Sequence, residues 1–178
     1  MTTHVKAAVV VGMIALLQPV SVLVAQQDKL SPAAPIPPQI SAAKKVFIGN
    51  AGGDERPDAF IFNGGPERAY DEFYALVKTA GRYQIVGNPA EADLLFEIGF
   101  MTPMVSGVGA KRDVLATMPY DPQIHLVIRD PKTNTLLWAL NEHVQWAILQ
   151  GNRDKNFDQS LARIVTDLQG LAGSSDKP

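Results

Sequence analysis

His125, Glu142 and His143 are the residues of this chain whose types could carry chemistry together. Two imidazoles and a carboxylate can bind zinc or move protons near neutral pH. Either task requires the three to converge on one surface. The local pattern divides them instead. Ile124, Leu126 and Ile128 alternate with His125, Val127 and Arg129, so His125 projects opposite the apolar set. His143 likewise falls opposite Trp138 and Val144, whereas Glu142 falls on the apolar side near the strand's edge. A carboxylate placed there needs a partner, such as Arg153 or a backbone donor. No catalytic, cofactor-binding or metal-binding residue is therefore assigned.

Other constellations are weaker. Gly52-Gly53-Asp54-Glu55 resembles the opening of the diguanylate cyclase signature, but Arg56 stands where that signature has an aromatic residue. A proline-rich stretch replaces the segment that should precede it, so the tetrapeptide reads as a glycine-rich loop after the first strand. Gly151-Asn152-Arg153-Asp154-Lys155-Asn156 precedes a helical pattern, and Asn152 or Asp154 suits its cap. An exposed loop gripping a partner or anion is the other use of these residues. Trp138 and Trp146 suit core packing, and Tyr70 and Tyr74 suit the edge of a helix, where they could join an interface. No serine sits in a nucleophile-elbow motif, and no glycine loop has phosphate-cradle spacing.

The elements that must position these residues follow from periodicity. Lys45–Gly49 reads as a buried strand, and Glu67–Ala80 as a helix burying Ala69, Phe73, Leu76, Val77 and Ala80. Pro66 suits its start and Gly81 its end. Tyr83–Val86 and Asp93–Met101 read as strands. Thr102–Tyr120 has no sustained period and is long for a loop. Gln123–Arg129 and Leu136–Ala147 form a hairpin across Asp130-Pro131-Lys132-Thr133-Asn134. Asn156–Leu171 is a final amphipathic helix. The expected fold is α+β, a two-layer sandwich of about five mostly antiparallel strands with two amphipathic helices on one face.

The amino terminus sets the expected location. Lys6 precedes an apolar run, Ala7–Val24, that ends at Ala25 and gives way to Gln26-Gln27-Asp28-Lys29. That is the pattern of a secretory signal peptide cut after Ala25. If uncut, the run would serve as an anchor, being close to the roughly 18 apolar residues of a spanning segment. Gln18 and Pro19 interrupt it and favour cleavage. The expected organisation is a signal peptide at 1–25, a proline-rich linker at 26–42, one domain at 43–172 and a disordered tail at 173–178. With no cysteine, the chain has neither disulfides nor a site for lipidation. The whole chain carries −2, and loss of Lys6 makes that −2 − 1 = −3. This mild acidity argues against nucleic acid as a partner.

From Lys45 onward the chain is similar to a family of uncharacterised exported bacterial proteins. The residues carrying this are Lys45–Ile48, Gly81–Val86, Ala92–Ile98, Leu126–Thr133, Leu137-Trp138 and Gly151–Phe157. The order of tyrosine and valine, then Ala-Asp-Leu, then a hairpin ending in Leu-Trp also resembles small envelope domains of the curli-secretion, penicillin-binding-protein-activator and Tol-Pal amino-terminal kind. The resemblance implies a sheet flanked by helices and used for docking or assembly. The expectation is thus an exported, periplasmic or extracellular, non-enzymatic domain that binds an envelope protein, without cofactor or nucleic acid and without a membrane span after cleavage. Its contact surfaces would be the Thr102–Tyr120 loop and any exposed edge strand. The alternatives are a small metal-dependent hydrolase using His125, Glu142 and His143, and a small-ligand carrier with a pocket beneath that loop.

Overall fold

Alternating apolar residues in two consecutive strands build the centre of the molecule. Phe96 and Ile98 face the same side as Ile124, Leu126 and Ile128, and all five are fully buried. The computed structural model describes residues 35–53, 62–103 and 120–173. All of these belong to the compact unit Pro35–Pro178, and the preceding unit, Met1–Ala34, lies outside them, as does the expected signal peptide.

The described elements run α1 (Pro38–Ala42), β1 (Lys45–Gly53), α2 (Arg68–Ala80), β2 (Gln84–Ile85), a 3-10 turn (Pro89–Glu91), β3 (Leu94–Met101), β4 (Gln123–Arg129), β5 (Leu136–His143) and α3 (Gln150–Gly173). The strands form one sheet in the order β2-β1-β3-β4-β5. The fold is the expected α+β arrangement. The sheet is mixed: β1 runs parallel to β2 and β3, while β3-β4-β5 is an antiparallel meander with the longer ladders. Parallel pairing follows from α2, because a crossover returns the chain in the direction it left.

Amphipathic spacing fixes both long helices on the sheet. In α2, Ala69, Phe73 and Val77 recur at one turn each and are buried. Ala80, expected on that face, is exposed. Gly81 adopts a left-handed φ of 68° and ends the helix, a conformation that costs glycine nothing. In α3, Phe157, Leu161, Ile164, Val165 and Leu168 face the core. Phe73 meets Phe96 edge-on, and so does Tyr83. Asp93 ties the start of β1 to β3: its carboxylate accepts the N–H groups of Lys45 and Lys44 at 2.8 and 2.9 Å. Those two bonds hold its pKa below the ordinary value.

Several boundaries differ from expectation: β1 runs on past Gly49 to Gly53, and β5 ends at His143 and not at Ala147. The linker expected at 26–42 gives up its last residues to the fold, because Pro38–Ala42 is a helical turn and Ile40 is completely buried. Proline is tolerated in a first helical turn, where its missing N–H would have no partner anyway. The final helix starts at Gln150, not Asn156, so Asn152 and Asp154 lie inside it and do not cap it.

Candidate interaction surface

The structure separates the three residues singled out for chemistry. His125 pairs with Gly99 and Asn141, and His143 pairs with Gln123. Both histidines lie on the sheet face away from the helices. Glu142 lies on the helix side, where Arg163 Nε donates to it at 2.8 Å. Its partner is thus Arg163, while Arg153 serves the β5–α3 turn. His143 Nδ1 is 2.8 Å from Asp121 Oδ1, and Gln123 donates to the other Asp121 oxygen at 2.6 Å. Among the described residues no group of three or more such ligands could hold a metal. The hydrolase built on His125, Glu142 and His143 is overturned, since a strand presents adjacent residues to opposite faces.

His125 has a structural setting of its own. A Cβ placed on Gly99 would lie 2.6 Å from His125 Cε1 and 2.9 Å from the Gly52 carbonyl oxygen. The imidazole therefore occupies the space that a side chain at 99 would fill. Burial lowers its pKa below the ordinary value, and Nδ1 has no hydrogen-bond partner among the described residues. Gly99→Ala is expected to cost about 1–3 kcal/mol, the range for overpacking. The ring can turn away, but the Gly52 carbonyl belongs to the β1 bulge between Asn50 and Gly53. Urea denaturation followed by circular dichroism checks this, and an unchanged midpoint would refute it.

Gly52 and Gly53 are the last residues of β1. Asp54 and Glu55 lie outside the described residues, as do 104–119 of the expected contact loop. The loop's base is pinned by Asp121 N–H donating to the Pro103 carbonyl at 3.0 Å. Among the described residues, cavities of about 440 and 420 Å³ lie elsewhere. One is by Lys44, Asp93 and Lys132, the other by Asn63, Arg68 and Asp154.

The expected exposed edge strand is present. β5 pairs with β4, and among the described residues no strand lies on its other side. Val144 N–H donates to the Pro122 carbonyl, so Val144 turns toward β4. Backbone direction alternates along an antiparallel strand. Trp138, Leu140 and Glu142 therefore turn their backbone groups inward, and Ala139, Asn141 and His143 turn theirs outward. Helix α3 closes one end of this edge: Ser160 Oγ donates to the His143 carbonyl at 3.0 Å, and Asn156 to the Gln145 carbonyl at 2.8 Å. Among the described residues, the outward groups of Ala139 and Asn141 remain. The strand reads Leu-Leu-Trp-Ala-Leu-Asn-Glu-His and contains no lysine, arginine or proline, the residues that commonly guard an edge.

Apolar side chains flank that edge. Leu136 is 53% exposed at its start, and Ile148 and Leu149 are 74% and 67% exposed beyond its end. Arg153 fixes the latter pair. Its guanidinium donates to the carbonyls of Ala147 and Ile148, bonds Gln150, and sits 5.0 Å over the Trp146 ring. With the backbone oxygens held inward, Ile148 and Leu149 are presented outward. Periodicity missed them because they fall between the strand expected to end at Ala147 and the helix expected from Asn156.

The second cluster is partly buried, around the side chain of Arg68. Arg68, 10% exposed, donates to Glu72 at 2.7 Å, Asp154 at 2.9 Å and Asp158 at 2.5 Å, and lies 4.3 Å over the Phe157 ring. Asp154 also accepts from the backbone and side chain of Asn63. Burial opposes ionisation of Asp154, but Asn63, Arg68 and Gln150 outweigh it and hold the pKa low. Glu72 is pushed up by burial, against the pull of Arg68. Asp154, expected in a cap or an anion-gripping loop, thus joins α3 to α2 through Arg68.

No described helix is long and apolar enough to cross a membrane. No family model matches the chain, and no curated protein matches it. Among solved structures, it is similar to the PelC dodecamer from Paraburkholderia phytofirmans, at 13% identity and a TM-score of 0.43 over 71% of this chain and 87% of that one. It is also similar to a DUF330 protein from Xanthomonas campestris, at 11% identity and a TM-score of 0.42 over 82% and 92%. A third similar structure is a homolog of a neuraminyllactose-binding hemagglutinin from Helicobacter pylori, at 12% identity and a TM-score of 0.41 over 75% and 86%.

Proposed function

We propose that this chain is an exported, non-enzymatic domain of the cell envelope that binds a protein partner. The observation that carries the binding reading is the β5 edge, with outward backbone groups at Ala139 and Asn141 between exposed Leu136 and exposed Ile148 and Leu149. An extended segment added there gains main-chain hydrogen bonds from the edge and burial from the flanking side chains. Export is supported by the Ala7–Val24 run and the abrupt polar residues after Ala25. The envelope assignment follows from that pattern together with the resemblance to exported envelope domains.

The test is a crosslinking pull-down from envelope extract with the wild type and with the Ile148→Asp/Leu149→Asp double variant. Both side chains are exposed, so the fold should be retained. Recovery of the partner is expected to fall about tenfold or more, since interface side chains that matter cost over ~1 kcal/mol when lost. The same proteins recovered equally by both forms would refute the surface.

A further inference from the structure

We infer that the groove between α2 and α3 docks a basic segment of a protein partner, whose apolar residues fill the groove and whose lysine or arginine side chains meet its carboxylate rim. This surface shares no residue with the β5 edge and adds a second contact to the binding reading above.

The pairing of the two helices builds the groove. Arg68, at the start of α2, donates to Asp154 and Asp158 of α3. One turn on, Glu72 stands beside Asp158. A further turn brings Ala75 and Leu76 into one cavity wall with Ala162. The helices therefore run side by side in the same direction. Two cavities of about 420 and 470 Å³ lie along this line, and Glu72 belongs to the walls of both. Ala75 and Ala162 are exposed, and Leu76 is half-buried. Short side chains on both helices leave this floor open to an incoming apolar group, which gains by taking it out of water.

The charge of the rim names the occupant. Four carboxylates, Asp71, Glu72, Asp154 and Asp158, line the groove with one guanidinium. That guanidinium is fully engaged. Arg68 Nε donates to Glu72, one terminal nitrogen to Asp154 and the Asn63 carbonyl, and the other to Asp158 and the Asp154 carbonyl. Asp154 is engaged too, by Asn63, Gln150 and Arg68. Among the described residues, no cation meets the Asp71 carboxylate or the second oxygens of Glu72 and Asp158. Burial pushes the Glu72 carboxyl up, and the neighbouring Asp158 adds to this against the pull of Arg68. Negative charge is thus crowded along the groove, with acceptors to spare. An entering lysine or arginine gains those acceptors without displacing an existing bond, and an acidic segment is repelled. The Glu72 and Asp158 side chains are 37% and 58% exposed. Each new pair is therefore worth about 0.2–1 kcal/mol, and two or three together change affinity about tenfold.

A photo-crosslinking residue in place of Ala162 in the full-length chain tests this. The peptide it links in envelope extract is sequenced by mass spectrometry. That peptide is expected to carry more lysine and arginine than aspartate and glutamate, with an apolar residue at the link. Its yield is expected to fall about tenfold with Asp71→Lys/Glu72→Gln, and likewise at ~1 M salt, where charges are screened beyond roughly 3 Å. The Asp71 side chain is exposed, and a glutamine amide at 72 still accepts from Arg68, so the fold should be retained. Circular dichroism checks that. A linked peptide without a basic excess, a segment of a second copy of this chain, or a yield unmoved by both changes overturns the inference. No link at 162, with a partner still lost on Ile148→Asp/Leu149→Asp, overturns it and leaves the binding reading standing. No link and no such loss overturns both.

Discussion

Phe157→Ala is expected to destabilise the domain by about 3–5 kcal/mol, the cost of removing a buried aromatic ring from a packed core. Phe157 is 2% exposed. Its ring centroid is 5.7 Å from that of Phe62 and 5.5 Å from that of Phe100. The Arg68 guanidinium covers it. The cavity cannot collapse from the α3 side, because Ser160, Leu161 and Ile164 are themselves fully buried in the same helix. A loss of this size is a large part of the roughly 5–15 kcal/mol that holds a domain folded. Urea denaturation read by tryptophan fluorescence checks it. A loss below about 1 kcal/mol would sink the view that Phe157 organises this end of the core.

Arg68→Met carries the second large effect, about 1–2 kcal/mol, between an exposed and a fully buried ion pair, because the Glu72 and Asp158 side chains stay 37% and 58% exposed. The substitution keeps an apolar cover on Phe157 but leaves Asp154, Glu72 and Asp158 without the cation they share. Arg68→Lys is expected to recover little, since one ammonium cannot donate to three carboxylates in fixed directions. The double variant with Phe157→Ala should lose less than the sum of the singles, because the two side chains touch. Acid supplies an independent reading. Asp154 has a pKa below its ordinary value, so its contribution is present above that ordinary value and is lost as pH falls through the lowered one. In Arg68→Met this acid-dependent part of the stability curve should shrink. A variant that tracks the wild type in parallel down to low pH would show that Arg68 does not set the Asp154 ionisation.

The element order and class of the fold were legible because the signal was local. Ile124, Leu126 and Ile128 alternate, Phe73 and Val77 recur at helical spacing, and Asp130 with Asn134 makes a turn. The mixed sheet was less legible, since nothing within Lys45–Gly53 records that its neighbours are Gln84 and Leu94. Asp154 shows the same gap. Its type and place near a helix start fit a cap, and only the distant Asn63 and Arg68 give it another use. The edge at β5 was expected in kind but not in position. Which strand lies outermost is a property of the sheet order, and the closure of one end by Ser160 depends on where α3 crosses.

The contact between α1 and α3 has a mechanical consequence. Arg82 donates to the Ser41 carbonyl at 3.3 Å and to the Ala172 carbonyl at 2.9 Å, joining the first and last helical segments of the domain at one place. Tension applied between those two ends loads this arginine and the buried Ile40 before it reaches any strand ladder. The joint would peel open bond by bond, while the sheet, whose hydrogen bonds fail together when sheared, is spared. Pulling the two ends of the described residues apart is therefore expected to open this joint first.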